Sequence, residues 1–91
     1  MSYIVSLSEQ ALADADRLEQ SEPKAFQKFQ TFLTELAEHP RTGTGHPEQL
    51  KGQPEDRWSR RISKKHRLVY RIYDTEVVVL VISAYGHYDD K

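Results

Sequence analysis

The chain has 91 residues, 37% of them hydrophobic and 30% charged, which predicts one globular domain and excludes both a disordered segment and a second core. It has no cysteine, which excludes disulfide staples, thiolate metal sites and cysteine nucleophiles, and its longest apolar run, Val77 to Ile82, is far short of the ~20 residues of a membrane-spanning helix. The net charge of -1 is segregated: three bases against seven acids give -4 over residues 1–40, nine against three give +6 over 41–71, and one against four gives -3 over 72–91.

Tyr3-Ile4-Val5 is a short β-favouring run, and the start of the chain has neither the basic region nor the long apolar stretch of a secretory leader. A cytoplasmic protein with no membrane association is therefore expected. Ser6-Leu7-Ser8-Glu9 fits a capping box, with a hydroxyl at the N-cap and a carboxylate three residues on. Leu7, Ala11, Ala15 and Leu18 then recur at helical spacing and predict an amphipathic helix with an acidic outer face. Ser21-Glu22-Pro23 restarts the chain, with proline suited to a first helical turn. Phe26, Phe29, Leu33 and Leu36 form the stripe of a second helix ending near His39-Pro40, and Phe32 and Ala37 widen it. These phenylalanines read as core.

Residues 41–56 contain three glycines and two prolines and read as loop. Their Gly-Thr-Gly is wrongly flanked for a dinucleotide fingerprint, and no Gly-Lys-Ser/Thr follows to make a P-loop. From Arg57 to Ile62 the chain alternates, with Trp58, Arg60 and Ile62 on one face and Ser59 and Arg61 on the other. Ser63 to Lys65 suits a turn. His66 to Tyr73 alternates again, with Leu68, Tyr70 and Ile72 opposite Arg67, Val69, Arg71 and Tyr73. After a turn at Asp74-Thr75, Val77 to Tyr85 is apolar on both faces and reads as a central strand covered on each side. The order predicts an α+β fold, β-α-α-β-β-β, with two N-terminal helices on one face of a mostly antiparallel sheet and the arginines on the other.

Nine basic residues within a 31-residue window make nucleic acid the first partner to consider, because a polyanion responds to the local patch rather than to the total charge. Several arginines on one sheet face can stabilise extra negative charge on a phosphate in a transition state. Glu48 lies in the glycine-rich loop, and His87-Tyr88 follows the most apolar strand. Histidine is the natural proton donor or acceptor at neutral pH, and a tyrosine supplies a hydroxyl or a stacking surface. His46 and His66 read as surface residues. His46, Glu48, His66 and His87 follow no known metal-ligand spacing, and no serine stands at a nucleophile turn, so neither a metal, a cofactor nor a Ser-His-Asp triad is expected.

Four segments in order, Gly-Thr-Gly-His-Pro-Glu-Gln-Leu-Lys (43–51), Trp-Ser-Arg-Arg-Ile (58–62), His-Arg-Leu-Val-Tyr (66–70) and Gly-His-Tyr (86–88), resemble the YoeB/Txe family of bacterial toxins, in the wider RelE-like group. The resemblance implies an endoribonuclease that cuts messenger RNA on the ribosome, at the codon in the decoding site. It further implies a homodimer and a cognate antitoxin of the YefM/Axe kind. Carried over by position, Glu48 is similar to the family's general base, Arg67 to its transition-state arginine, His87 to its general acid and Tyr88 to a substrate-orienting residue. Lys51 and Arg61 match basic positions near the site. The chain departs from the pattern in continuing past Tyr88 with Asp89-Asp90-Lys91.

RNA brings its own nucleophile, the 2′-hydroxyl, so a base, a charged phosphate holder and an acid suffice for cleavage. The rival reading is a module that binds RNA or an acidic antitoxin through the arginine face without catalysis. It does not require Glu48, Arg67 and His87 to converge.

Overall fold

The computed structural model describes residues 2–52 and 57–86; the expected site residues His87 and Tyr88 and the Asp89-Asp90-Lys91 tail lie outside the described residues. Ile4–Leu7 form β1, Glu9–Ser21 form α1 and Pro23–Glu38 form α2. Glu48–Gln49 form β2, Arg57–Arg61 β3, Arg67–Tyr73 β4 and Val78–Ser83 β5. The strands make one sheet in the order β1-β5-β4-β3-β2. Its pairs are antiparallel except β1 with β5, where Leu7 lies beside Val81 in parallel. The two helices between β1 and the rest of the sheet supply the crossover that a parallel pair needs.

The expected capping box does not form, and the N-cap lies two residues further on. Leu7 is taken by the sheet, and Ser8 caps α1, its hydroxyl oxygen accepting from Ala11 N–H at 3.0 Å and its O–H donating to Ile82 C=O at 2.8 Å. The long-range strand pairing outcompetes the local cap at Ser6, and a second serine takes over the task. At the other junction Glu22 closes α1, with its N–H on Leu18 C=O, and Pro23 opens α2.

The core lies between the helices and the inward face of the sheet. Ala11, Leu18, Phe29, Phe32 and Leu36 meet Leu68, Tyr70, Ile72, Val79 and Val81, all buried. The helical stripes therefore face the sheet as their spacing predicts, each large side chain contributing roughly 1.5–3 kcal/mol on burial. The expectation that β5 is covered on each side is only half right. Val79 and Val81 are buried under the helices, whereas Val78, Leu80 and Ile82 on the other face are half-buried.

β5 also departs from regular pairing. Val69 faces Ser83 while Tyr70 faces Val81, so Ile82 is an extra residue and the strand bulges there. A bulge turns its strand and re-aims the side chains beyond it. Ile82 and Ser83 both border the cleft described next.

Candidate active site

Arg60 is the largest fully buried side chain among the described residues. Alternation puts it on the inward face with Trp58 and Ile62, so it is not one of the arginines on the outer face. Its guanidinium is consumed by structure: Nη1 donates to Glu35 Oε1 at 2.6 Å and Thr44 C=O at 3.3 Å, and Nη2 to the carbonyls of His39 (2.6 Å) and Thr42 (2.7 Å). Nε reaches the Tyr70 hydroxyl at 3.3 Å, and that hydroxyl donates to Pro40 C=O at 2.7 Å. Burial acts to raise the Glu35 carboxyl, but hydrogen bonds from Thr44 and Arg60 outweigh it and hold the group below its ordinary range.

This network pins residues 39–44, the loop that leads to Glu48. Its Gly-Thr-Gly serves packing. Gly45 has φ +82°, and a Cβ there would enter the Phe32 ring and come within 3.2 Å of Arg60 Cβ. Gly45 C=O accepts from Arg61 N–H at 2.7 Å, which ties the loop to the end of β3. Three residues further on, Glu48 pairs with Ser59. The expected loop thus contains a two-residue strand that fixes Glu48 at the sheet edge.

On the outer face Arg57 stands directly opposite Arg71, and Arg61 opposite Arg67, with Ser59 and Val69 between. Like charges in such pairs oppose sheet formation, so this face concentrates positive charge at a cost to folding. Arg67 Nη1 donates to Ser59 Oγ at 3.1 Å and lies 4.0 Å from Glu48 Oε1. The Arg67 side chain is 19% exposed, against 66% for Glu48. Arg67 lines a cleft of about 680 Å³ together with apolar Leu50, Val69 and Ile82 and polar Lys51, Arg57 and Ser59; Glu48 is not among its lining residues.

Lys51 lines the cleft. Arg61, at the end of β3, is exposed and is not among the cleft residues. His87 follows Gly86, whose carbonyl accepts from Arg67 N–H at 3.0 Å. The structure brings Glu48 and Arg67 together and ties to Arg67 the residue that leads into His87.

His66 corrects the surface reading. It is 3% exposed, with Nε2 2.7 Å from Glu22 Oε2 and Nδ1 accepting from Gly86 N–H at 2.8 Å. The His66 hydrogen bond is the largest influence on the Glu22 carboxyl and holds it below its ordinary range. His46 is exposed, as expected. Among the described residues no three His, Asp or Glu side chains gather as a metal-holding group, and no helix is long and apolar enough to cross a membrane. His66 is the residue that sequence reasoning misassigned, and Arg60, already placed on the inward face, is the one whose structural role it left unread. The available signal was a charged side chain at an inward position of an alternating strand, and a histidine at the start of the next.

A family model described as YoeB-like toxin of bacterial type II toxin–antitoxin system matches residues 7–88. The chain belongs to this family. A curated relative, Toxin YoeB of Synechocystis, is 39% identical over 70 residues, 77% of this chain and 79% of its own length. Among solved structures, the YoeB dimer of Staphylococcus aureus superposes with a TM-score of 0.83 at 29% identity, covering 97% of this chain and 100% of that one. The YoeB–YefM complex of the same organism gives 0.78 at 30% identity, with coverages of 97% and 100%. The two-helix, five-stranded arrangement is thus the YoeB fold, and in this YoeB-like toxin Arg67 lines the cleft with Glu48 4.0 Å from its guanidinium.

Proposed function

We propose that this toxin is a metal-independent endoribonuclease that cleaves messenger RNA at the decoding site of the ribosome and so inhibits translation. The observation that carries the reading is the convergence of the Glu48 carboxylate on the Arg67 guanidinium at 4.0 Å, with Arg67 N–H bonded to the residue that precedes His87.

In this mechanism Glu48 takes the proton from the 2′-hydroxyl on the 5′ side of the scissile phosphate. The freed oxygen attacks phosphorus while Arg67 neutralises the charge that gathers on the phosphoryl oxygens. The P–O5′ bond breaks and His87 gives its proton to the departing oxygen, leaving a 2′,3′-cyclic phosphate and a 5′-hydroxyl. Tyr88 orients the substrate, and Lys51 and Arg61 draw in flanking phosphates. Glu48 is two-thirds exposed, and a carboxylate in water is a weak base. The docked RNA must therefore displace water from it, which makes a precisely seated substrate, as on the ribosome, part of the catalytic device. Proton transfer of this kind contributes about 10²–10⁴-fold and a preorganised charged donor a few kcal/mol more. DNA, with no 2′-hydroxyl, is spared.

The partners in this reading are messenger RNA, the ribosome, an antitoxin like the YefM of the related complex, and a second copy of the chain, as in the related dimer. Its place of action is the cytoplasm, where that substrate is. The test is primer extension on a messenger RNA with and without ribosomes, in the presence of EDTA. Wild-type cleavage that survives the chelator, leaves cyclic phosphate ends and is lost in Glu48→Ala and His87→Gln supports the assignment. Undiminished cutting by the double variant, or activity restored only by added metal, overturns it.

A further inference from the structure

Residues 84–86, the last described before His87, are each held by groups from elsewhere in the chain. Ala84 N–H donates at 2.9 Å to Oδ2 of Asp14, a carboxylate only 2% exposed whose other oxygen accepts from Gln10. The Tyr85 ring lies 3.9 Å from the Arg17 guanidinium and 4.3 Å, centroid to centroid, from the His66 ring. Gly86 is held at both backbone polar groups, its N–H by His66 Nδ1 and its C=O by Arg67 N–H.

The His66 bonds fix the state of its ring. A backbone N–H can only donate, so Nδ1 must be the acceptor and carries no proton. Nε2 then carries the hydrogen and donates to Glu22 Oε2 at 2.7 Å. A proton on Nδ1 would set donor against donor at Gly86.

We propose that neutral, Nε2-protonated His66, oriented by Glu22, is a positioning residue that holds the backbone at Gly86, the residue next in the chain to the general acid His87. This inference rests on the endoribonuclease reading and assigns its general acid a dedicated support. Glu22 and His66 lie 44 residues apart in the chain, so the junction of the two helices is coupled to the catalytic end of the molecule. A misplacement on the order of 1 Å is enough to cost about 10²-fold in rate, which is what such a support prevents.

Two measurements test it. In the ¹⁵N-labelled wild-type chain near neutral pH, His66 Nδ1 should resonate as an unprotonated ring nitrogen and Nε2 as a protonated one. The opposite tautomer, or a doubly protonated ring, overturns the proposal whether or not any variant folds. The second uses single-turnover cleavage of ribosome-bound messenger RNA. Asparagine places an oxygen near the position of Nδ1 and keeps an acceptor for Gly86, whereas glutamine mimics the Nε2 side and loses it. His66→Gln should lower the saturated rate by roughly 10–100-fold with the half-saturating concentration unchanged, and His66→Asn should recover most of that loss. Equal rates in the two variants, or an effect confined to half-saturation, sink the assignment. An inactive His87→Gln beside a fully active His66→Gln removes only this inference; a fully active His87→Gln removes the general-acid assignment of the proposed mechanism, and this inference with it, while leaving the tautomer result standing.

Discussion

Arg60 and Glu35 form a 2.6 Å ion pair directly beneath the loop that carries Glu48, and the arginine is wholly inaccessible while the glutamate keeps a quarter of its side chain in solvent. Truncating Arg60 strands Glu35 and the carbonyls of His39, Thr42 and Thr44 together. Arg60→Ala should therefore destabilise the fold by about 3–5 kcal/mol, read as a shifted urea midpoint. Glu35→Gln should cost less because its site is partly wet. An Arg60→Ala protein with wild-type stability would show that the loop is held by something else.

Gly45 makes a separate claim on the same loop. Its φ of +82° and the proximity of Phe32 and Arg60 leave no room for a methyl group. Gly45→Ala should cost roughly 1–3 kcal/mol from backbone strain with overpacking added, whereas Gly52→Ala, at φ +78° with open space around it, should cost only the strain. Thermal unfolding of the two variants side by side checks the difference.

Acid should destabilise the protein through three carboxylates. Glu22 is lowered mainly by its hydrogen bond with His66, Glu35 by Thr44 and Arg60 against the opposing effect of burial, and Asp74 mainly by Arg41 and then Tyr3. A carboxyl whose folded-state value is depressed contributes stability that is complete above its ordinary value, here 4.5 for the glutamates and 3.8 for Asp74. That contribution is lost as pH falls through the lower folded-state value. Melting temperature should hold through the neutral range and drop on acidification below about pH 4.5. Asp74→Asn should flatten that drop, and an unchanged slope would contradict the Arg41 and Tyr3 contacts as its source.

Arg71 stands opposite Arg57 on the outer face and reaches Tyr73, with its guanidinium 4.5 Å from the ring. Under the proposed function, in which the arginines of this face meet RNA phosphates, Arg71→Gln should weaken RNA binding evenly across sequences. It should also reduce the slope of log affinity against log salt by about one. Filter binding of a short RNA across a salt series measures both. Arg67→Lys is expected to behave differently, losing roughly 10²–10³-fold in cleavage rate because a lysine ammonium lacks the planar paired donors that a guanidinium offers to phosphoryl oxygens.

The periodic parts of the molecule were legible in the chain itself. Phe29, Phe32 and Leu36 at helical spacing, and Leu68, Tyr70 and Ile72 at strand spacing, found each other across one core, because burying an apolar stripe needs only that some apolar face meets it. The same alternation put Arg67, Arg71 and Arg61 on the outer face. What only folding decided was partnership over distance. No local pattern says that Arg60 meets Glu35 and three loop carbonyls, or that His66 meets Glu22 and Gly86, because a polar group can be buried only where specific partners satisfy it, and those partners come from elsewhere in the chain. The parallel pairing of β1 with β5, the bulge at Ile82 and the 4.0 Å approach of Glu48 to Arg67 are of the same kind. Each depends on register between segments that share no sequence periodicity, and register is a property of the packed sheet.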